Sequence, residues 1–215
     1  NISKTLLSSA GRIESQAYEN LNHQLAIYYQ NTGNENLYEE YIEKARSMVE
    51  RKLGKQHPEY ANILRTKGNY YRRMGRFNLA ELEFRDATEI YLNAEPQNSI
   101  YYISTIKNLG SLFNAIGNRL DAEKQFIKAK NILESKKMIY EIDYAIILES
   151  LAHLYYNQKK YKDSEQLLLQ VLNIRKTSQG NTNKDYAECL NKLANIYLMQ
   201  ENYIKSEILF KEAIS

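Results

Sequence analysis

The sequence predicts an all-α protein made of about five helix pairs, and three observations support this. The pattern "KGNYYRRMGRFNLAE" begins at residue 67, and its counterparts begin at residues 109, 151 and 193, each 42 residues after the last. Within each copy the large apolar residues recur at steps of three and four, which is the period of one helix face. Proline occurs only twice in 215 residues, so few positions break a helix. Repeats of this length stack into one continuous body.

The first helix of each repeat carries a packed face with a small residue at its centre. A small residue between two large ones is what a helix needs where another helix crosses close to its backbone. These trios are Leu64, Gly68 and Tyr71; Ile106, Gly110 and Phe113; Leu148, Ala152 and Tyr155; and Leu190, Ala194 and Tyr197.

A tight turn and a second helix follow in each repeat. Glycine at the turn suits a left-handed C-cap. Two copies have it, at Gly75 and Gly117, whereas the other two copies have Lys159 and Glu201 at the same position. The second helix again alternates small and large residues, at Ala80, Phe84 and Ala87; Ala122, Phe126 and Ala129; Ser164, Leu168 and Val171; and Ser206, Phe210 and Ala213. We expect one acid to lie in the first turn of each second helix, where the helix dipole favours it. These acids are Glu81, Glu123, Glu165 and Glu207.

The joining loops are rich in helix-stopping residues, with "KQHPEY" at 55–60, "NAEPQNS" at 93–99 and "SQGNTNK" at 178–184.

The packed-face and turn positions of the repeat are also recognisable 42 residues before the first clear copy. Tyr38 replaces Ala or Ser there and predicts a looser or differently packed corner. We therefore expect residues 1–215 to form a single array. Residues 1–10 would be the tail of a preceding helix, and the repeats would cover about 15–56, 57–98, 99–140, 141–182 and 183–215. Because the chain begins at Asn1 and ends within a helical pattern, we expect a segment of a longer protein.

These features resemble the tetratricopeptide repeat over about residues 15–215. The 42-residue period and "LGKQHPEYA" at 53–61 are similar to the variety found in kinesin light chains and in many bacterial tandem arrays. The resemblance implies a right-handed α-α superhelix with a concave groove lined by the first helices. Lys67 in a Leu slot, Arg119 in the aromatic slot and the missing glycines at 159 and 201 depart from the pattern.

The resemblance also implies which residues face the groove, because they lie on the flank of each first helix. We expect the binding set to be Asn62, Arg65, Asn69, Arg72, Arg73, Lys107, Ser111, Asn114, His153, Tyr156, Asn157, Asn191, Asn195 and Leu198. Asn side chains carry both a donor and an acceptor, so a row of them can pair with the backbone of an extended peptide.

The arginines add a preference for charge. Arg65, Arg72 and Arg73 with Lys107 would form a basic end that suits an acidic residue, because Arg makes bidentate bonds to carboxylates. Apolar side chains such as Leu198 would contact the other end of the partner. The alternative is that Arg72 and Arg73 are solvated, or pair with acids on a neighbouring helix.

Composition excludes several classes of function. The net charge is +3, and acids and bases alternate rather than cluster, which argues against a nucleic-acid surface. No apolar run is long enough to span a membrane, and no signal peptide is recognisable. Cys189 is the single cysteine and is expected to be buried and inert. No phosphate loop, metal signature or nucleophile motif appears, so we expect no enzyme activity and no cofactor. The sequence leaves the compartment open, with the cytoplasm as the expectation.

We therefore expect a non-catalytic scaffold that binds a peptide or partner protein in its groove. The alternative is a regulatory segment of a larger protease, kinase or transcriptional regulator. A third reading, RNA binding, predicts steep salt dependence. The last helix, "SEILFKEAIS", leaves an apolar face that could drive self-association, because terminal repeats normally carry a polar cap.

Overall fold

The computed structural model describes residues 21–94, 100–139 and 141–214, and within these ranges the regular structure is entirely helical. The described part of α1 covers residues 21–32. The other helices are α2 (Glu35–Leu53), α3 (Pro58–Arg73), α4 (Phe77–Ala94), α5 (Ile100–Ala115), α6 (Arg119–Ser135), α7 (Ile142–Asn157), α8 (Tyr161–Gln179), α9 (Lys184–Met199) and α10 (Tyr203–Ala213). The predicted helical tail at residues 1–10 lies outside the described residues. The chain divides into two compact units, Asn1–Thr105 and Ile106–Ser215.

In the first unit, α3 packs against both α2 and α4. Tyr38 is fully buried, and its ring stacks on that of Tyr70 with the centroids 3.7 Å apart, so the corner is packed by aromatic rings rather than by small residues. Lys67, which replaces the usual leucine, is also buried. Its ammonium group lies 2.8 Å from Glu43 and 3.2 Å from Glu83, so an ion cluster between three helices takes the place of an apolar contact.

In the second unit, helices that follow one another along the chain pack together from α6 to α10. Its core contains most of the predicted packed-face residues, including Ile106, Phe126, Leu148 and Leu190, whereas Phe210 and Ala213 of α10 are only half-buried. The predicted interlocking of small and large residues is visible at Gly110. A Cβ added there would lie only 2.9 Å from the ring of Phe126, so this position must stay small.

The predicted turns are confirmed, and they adopt left-handed backbone with or without glycine. Gly75 and Gly117 have φ of 71° and 81°, and Lys159 and Glu201 both have φ of 61°. An L side chain is strained in this region, so the two non-glycine turns are held by the packing of the helices on either side.

One boundary prediction and the predicted position of the recurring glutamates were wrong. The loop predicted at 55–60 ends earlier, because α3 begins at Pro58. Proline is tolerated at the first helical position, since the N–H it lacks would have no partner there. His57 caps this helix, and its Nδ1 accepts a hydrogen bond from the backbone N–H of Glu59 at 3.2 Å.

The recurring glutamates do not lie in the first turn of the second helices. Each is the fifth residue of its helix, and the acids of the first turn in α6 and α8 are Asp121 and Asp163. The hydroxyl of Tyr155 instead donates to Glu123 at 2.8 Å, and that of Tyr197 donates to Glu165 at 2.8 Å. These glutamates therefore join one repeat to the next across 32 residues of chain.

Candidate functional site

In the first unit, one face of α3 carries a run of polar and basic side chains. We call this the arginine face; it comprises Asn62, Arg65, Asn69, Arg72 and Arg73. Steps of three and four place all five residues on one side of the helix. Arg73 is exposed and the other four are half-buried, so the face is accessible without being fully hydrated.

The guanidinium groups of this face contact amides rather than acids. Arg65 Nη2 donates to Asn62 Oδ1 at 2.7 Å, and Arg73 Nη1 lies 3.5 Å from Asn31 Oδ1 on α1. Within the described residues, no carboxylate oxygen lies within 4.0 Å of the guanidinium groups of Arg65, Arg72 or Arg73. The Nε atoms of Arg65 and Arg72 are buried and lack a hydrogen-bond partner within that same part of the chain.

Other arginines of the first unit behave differently. Arg46 pairs with Glu43 at 2.7 Å, Arg76 pairs with Glu35 at 2.7 Å, and Arg85 pairs with a glutamate of its own helix. The arginine face is therefore a local concentration of positive charge that the described residues leave without acidic partners.

His23 borders the arginine face and adds no charge to it near neutral pH. Its Nε2 lies 2.9 Å from Thr66 Oγ1. Burial, followed by the positive charge of Arg65, lowers the pKa of His23 to about 4. The positive charge at this border thus comes from the arginines alone.

In the second unit, three of the predicted residues lie on α5 and are half-buried: Lys107, Ser111 and Asn114. Lys107 belongs to this unit and the three arginines belong to the first. The common basic end that these four residues were expected to form therefore stays a prediction.

A cavity of about 340 Å³ lies among α7, α8 and α9. Its floor is apolar and includes Ala152, Leu168 and Ile196, and its lining also includes His153, Tyr156 and Asn195. The fold thus brings together three residues of the predicted binding set that are up to 42 positions apart in the chain. We call this the α7–α9 cavity.

A charge cluster at the edge of the cavity was missed from the sequence. Glu149 accepts hydrogen bonds from Arg175 Nη2 at 2.6 Å and from the ammonium group of Lys192. Arg175 also donates to the backbone carbonyl of Asp185 and is only 6% exposed. An arginine on the packed face of α8, next to Ile174, was the available signal, because a buried charge requires a partner.

On α7 and α9 the predicted residues other than Tyr156 are exposed, and some of them make local contacts. The side-chain amide of Asn195 donates to the carbonyl of Asn191 at 2.9 Å, which occupies one of its donors. Asn157 Nδ2 lies 3.5 Å from His153 Nδ1. Leu198 is 39% exposed, as an apolar contact surface requires.

The described residues offer little else that could carry chemistry. Cys189 is fully buried, and burial, followed by the nearby Glu149, raises the pKa of its thiol to about 12. Within residues 21–94, 100–139 and 141–214, no three His, Cys, Asp or Glu side chains are close enough to hold a metal ion. No helix in those ranges combines the length and apolar character needed to cross a bilayer.

Comparison with known proteins shows a matching family model and solved structures with a similar fold. The family model described as Tetratricopeptide repeat matches residues 18–93 and 143–215. The search of curated proteins gave no match. The fold is similar to that of BtubC (BKLC) from P. vanneervenii, with a TM-score of 0.84 and 20% identity over 96% of this chain and 82% of that one.

Two further solved structures share the fold. A putative kinesin light chain from Podosopora anserina, with nearly identical TPR-like repeats, has a TM-score of 0.75 and 16% identity over 90% of this chain and 92% of that one. The Rap conjugation gene regulator of plasmid pLS20, solved in complex with the Phr* peptide, has a TM-score of 0.72 and 13% identity over 96% of this chain and 55% of that one.

Proposed function

Because the chain belongs to the tetratricopeptide repeat family, we propose that it is a non-catalytic scaffold that binds an extended segment of a partner protein along the first helices of its repeats. The observation that carries this proposal is the arginine face of α3. Three guanidinium groups without acidic partners among the described residues are a poor surface for folding alone, but a suitable one for an acidic ligand.

The chemistry of the arginine face indicates the kind of segment it would bind. An Arg guanidinium can donate two parallel hydrogen bonds to one carboxylate, and such charge-assisted bonds are about twice as strong as neutral ones. Asn69 lies between Arg65 and Arg72 on the helix surface and can pair with a peptide N–H or C=O. An extended peptide with acidic side chains would therefore be held by both its side chains and its backbone.

The comparisons support a peptide-binding role by analogy. The Rap regulator, which shares the fold, was solved with a bound peptide. An identity of 13% carries the fold and not the binding residues, so the arginine face has to be tested on this chain itself.

The test uses a fluorescein-labelled peptide of alternating Glu and Ser, about eight residues long, which spans roughly 26 Å when extended. Fluorescence anisotropy would compare it with matched Gln-Ser and Lys-Ser peptides. We expect Arg65→Ala/Arg72→Ala/Arg73→Ala to weaken binding of the Glu-Ser peptide by about tenfold or more, because each charged hydrogen bond contributes roughly 1.5 to 3 kcal/mol.

The matched control is Arg51→Ala/Arg85→Ala/Arg119→Ala, which removes the same charge from exposed arginines on other helices. Equal losses in the two triple variants would mean that only net charge matters, and would overturn the proposal. Tight binding of a single-stranded RNA that weakens steeply with salt would also overturn it in favour of nucleic acid.

A second candidate function is a regulatory segment of a larger enzyme or signalling protein. The likeness to a conjugation gene regulator favours this second candidate, because this chain covers only 55% of the length of that regulator. Peptide binding would then change the activity of an attached domain. The full reading frame distinguishes the two candidates. The second candidate requires a catalytic or signalling domain in the same chain, whereas the first does not.

A further inference from the structure

Another cavity of the second unit lies at its edge, between the α7–α8 turn and the α9–α10 turn. Its volume is about 510 Å³, and it is lined by Lys159, Tyr161, Lys162, Glu165, Tyr197, Gln200, Asn202 and Lys205. We call it the lysine pocket. None of its lining residues belongs to the binding set predicted along the first helices, so the pocket is distinct from the predicted groove.

The lysine pocket carries an excess of positive charge. Its three lysines are exposed, and within the described residues no carboxylate oxygen lies within 4.0 Å of their ammonium groups. Glu165 supplies the one negative charge of the lining. Its two oxygens accept hydrogen bonds from the hydroxyl of Tyr197 at 2.8 Å and from the side-chain amide of Gln200 at 3.0 Å. Three lysines and one glutamate therefore leave a net charge of +2.

This excess is absent from the same positions one repeat earlier in the sequence. There Arg119 and Lys160 are balanced by Glu123 and Asp163. Lys205 takes the place of Asp163, which accounts for the whole change of two charges, because the other exchanges cancel. The ammonium group of Lys205 lies 5.0 Å from the centroid of the Tyr197 ring, so a cation–π contact holds it at the pocket. The positive charge is thus local to the fourth and fifth repeats.

The size of the excess favours a ligand with two negative charges. A carboxylate brings one, whereas a phosphorylated serine or threonine brings about 1.5 to 2 near pH 7, together with three acceptor oxygens. Each lysine ammonium is a compact charge on a flexible stem, so several can converge on one phosphate. The volume of about 510 Å³ leaves room for the residue that carries the phosphate, beside the ring of Tyr161.

Polyanions with extended charge fit this surface less well. Attraction to an anionic membrane typically involves clusters of about four to eight basic residues, and nucleic acid requires a basic stripe. The pocket has three lysines, and the same positions one repeat earlier are neutral. A single phosphate is therefore the better match.

We infer that the lysine pocket binds a phosphorylated serine or threonine of a partner protein. The inference goes beyond the proposed function, because the pocket shares no residue with the arginine face and does not depend on it.

The experiment uses fluorescein-labelled peptides Gly-Ser-Xaa-Ser-Gly, in which Xaa is phosphoserine, Glu or Ser, and follows their fluorescence anisotropy. The chain carries Arg65→Ala/Arg72→Ala/Arg73→Ala, so that the arginine face cannot contribute. We expect the phosphoserine peptide to bind at least about tenfold more tightly than the Glu peptide, because it can accept more charged hydrogen bonds. The Ser peptide should not bind measurably. Amide chemical shifts of the 15N-labelled chain should change at Lys162 and Lys205.

The decisive pair of variants is Lys159→Gly and Lys137→Gly. Lys159 and Lys137 have left-handed backbone with φ of 61° and 59°, so each change removes one positive charge and relieves the same strain. Both variants should therefore be at least as stable as the parent chain. Lys159→Gly should weaken binding of the phosphoserine peptide by about threefold or more, whereas Lys137→Gly should leave it unchanged, because Lys137 does not line the pocket.

A double variant removes the two lysines that lie on helices. Lys162→Ala/Lys205→Ala should weaken binding of the phosphoserine peptide by about tenfold or more. Lys124→Ala/Lys176→Ala is its matched control, since these two lysines are exposed on α6 and α8 and do not line the pocket. An unchanged far-ultraviolet circular dichroism spectrum shows that each variant folds.

Equal binding of the phosphoserine and Glu peptides would overturn the inference. Equal losses in Lys159→Gly and Lys137→Gly would do so as well, because net charge alone would then explain the binding. Inorganic phosphate that competes as tightly as the phosphoserine peptide would assign the pocket to a free anion. Tighter binding of phosphatidylcholine–phosphatidylserine vesicles or of single-stranded RNA would assign it to a membrane or to nucleic acid.

Failure of this inference is distinguishable from failure of the proposed function. With the arginine face intact, Lys162→Ala/Lys205→Ala should bind the Glu-Ser peptide as the unmodified chain does. Loss of that binding in the unmodified chain would count against the proposed function and would leave the lysine pocket untouched.

Discussion

Substitution of Gly68 by alanine is expected to destabilise the protein, although alanine is the better helix former. An added Cβ would lie 2.7 Å from Cδ1 and Cε1 of Phe84 and 3.0 Å from its Cζ. Carbon atoms in contact are normally about 3.5 to 4.0 Å apart, and Phe84 is fully buried and cannot move aside freely. Overpacking of this kind costs about 1 to 3 kcal/mol. Alanine regains roughly 0.5 to 1 kcal/mol of helix propensity, so we expect a net loss of up to about 2.5 kcal/mol.

The fourth repeat provides the rescue for this substitution. There the same two positions carry Ala152 and Leu168. With Phe84→Leu already present, Gly68→Ala should no longer clash and should stabilise the chain by up to about 1 kcal/mol through helix propensity. The effect of Gly68→Ala thus changes sign between the two backgrounds, and a double-mutant cycle isolates this coupling.

Urea unfolding followed by far-ultraviolet circular dichroism measures all four free energies of unfolding. If Gly68→Ala stabilises the wild-type background, or has the same effect with and without Phe84→Leu, the steric reasoning is refuted. Gly110→Ala serves as a parallel case, because its added Cβ would lie 2.9 Å from Phe126 and should show the same sign.

Three further predictions concern the turns, the tyrosines and the cysteine. Lys159→Gly and Glu201→Gly should each raise the free energy of unfolding by about 0.5 to 1 kcal/mol in urea titrations, because glycine adopts the positive φ of 61° without strain. Burial, followed by hydrogen bonds to glutamates, raises the pKa of Tyr155 and Tyr197 to about 12. Their contribution to the free energy of unfolding is therefore complete below the pKa of an unfolded tyrosine, near 10, and is lost as the pH rises toward about 12. Replacing either by Phe should flatten the alkaline fall in thermal midpoint; an unchanged slope would contradict this. Cys189 should react with a thiol reagent only as fast as the chain unfolds, and rapid labelling of the native protein at pH 8 would show that the thiol is accessible.

Features that depend on neighbouring residues in the chain were predictable. The helices, their packed faces and the left-handed turns follow from residues a few positions apart, so the 42-residue register was enough to locate them. Lys159 and Glu201 lie at the turn position that Gly75 has in its own repeat, and all three have positive φ. The register of the repeat is therefore more informative here than the residue type. The start of α3 was misplaced because Pro58 looked like a loop residue, whereas it begins the helix.

Contacts between helices were not predictable in the same way. Glu165 was interpreted as a dipole partner, and only the packing of successive helices shows that it accepts a hydrogen bond from Tyr197. Arg175 was not considered at all, although it holds Glu149 at the edge of the cavity. Such partners depend on the reach and rotamer of each side chain, which a repeat pattern does not specify.

The sequence by itself determined that this chain is a row of helical hairpins, because period, small residues and turn positions are local properties repeated in register. Only the tertiary structure decided which of its polar residues keep free donors and where space is left beside the helices. Leu168 is one apolar residue among many in the sequence, but in the fold it lines a cavity of about 340 Å³ together with residues of α7 and α9. Volume and charge balance are sums over side chains from several helices, and they exist only once those helices pack together.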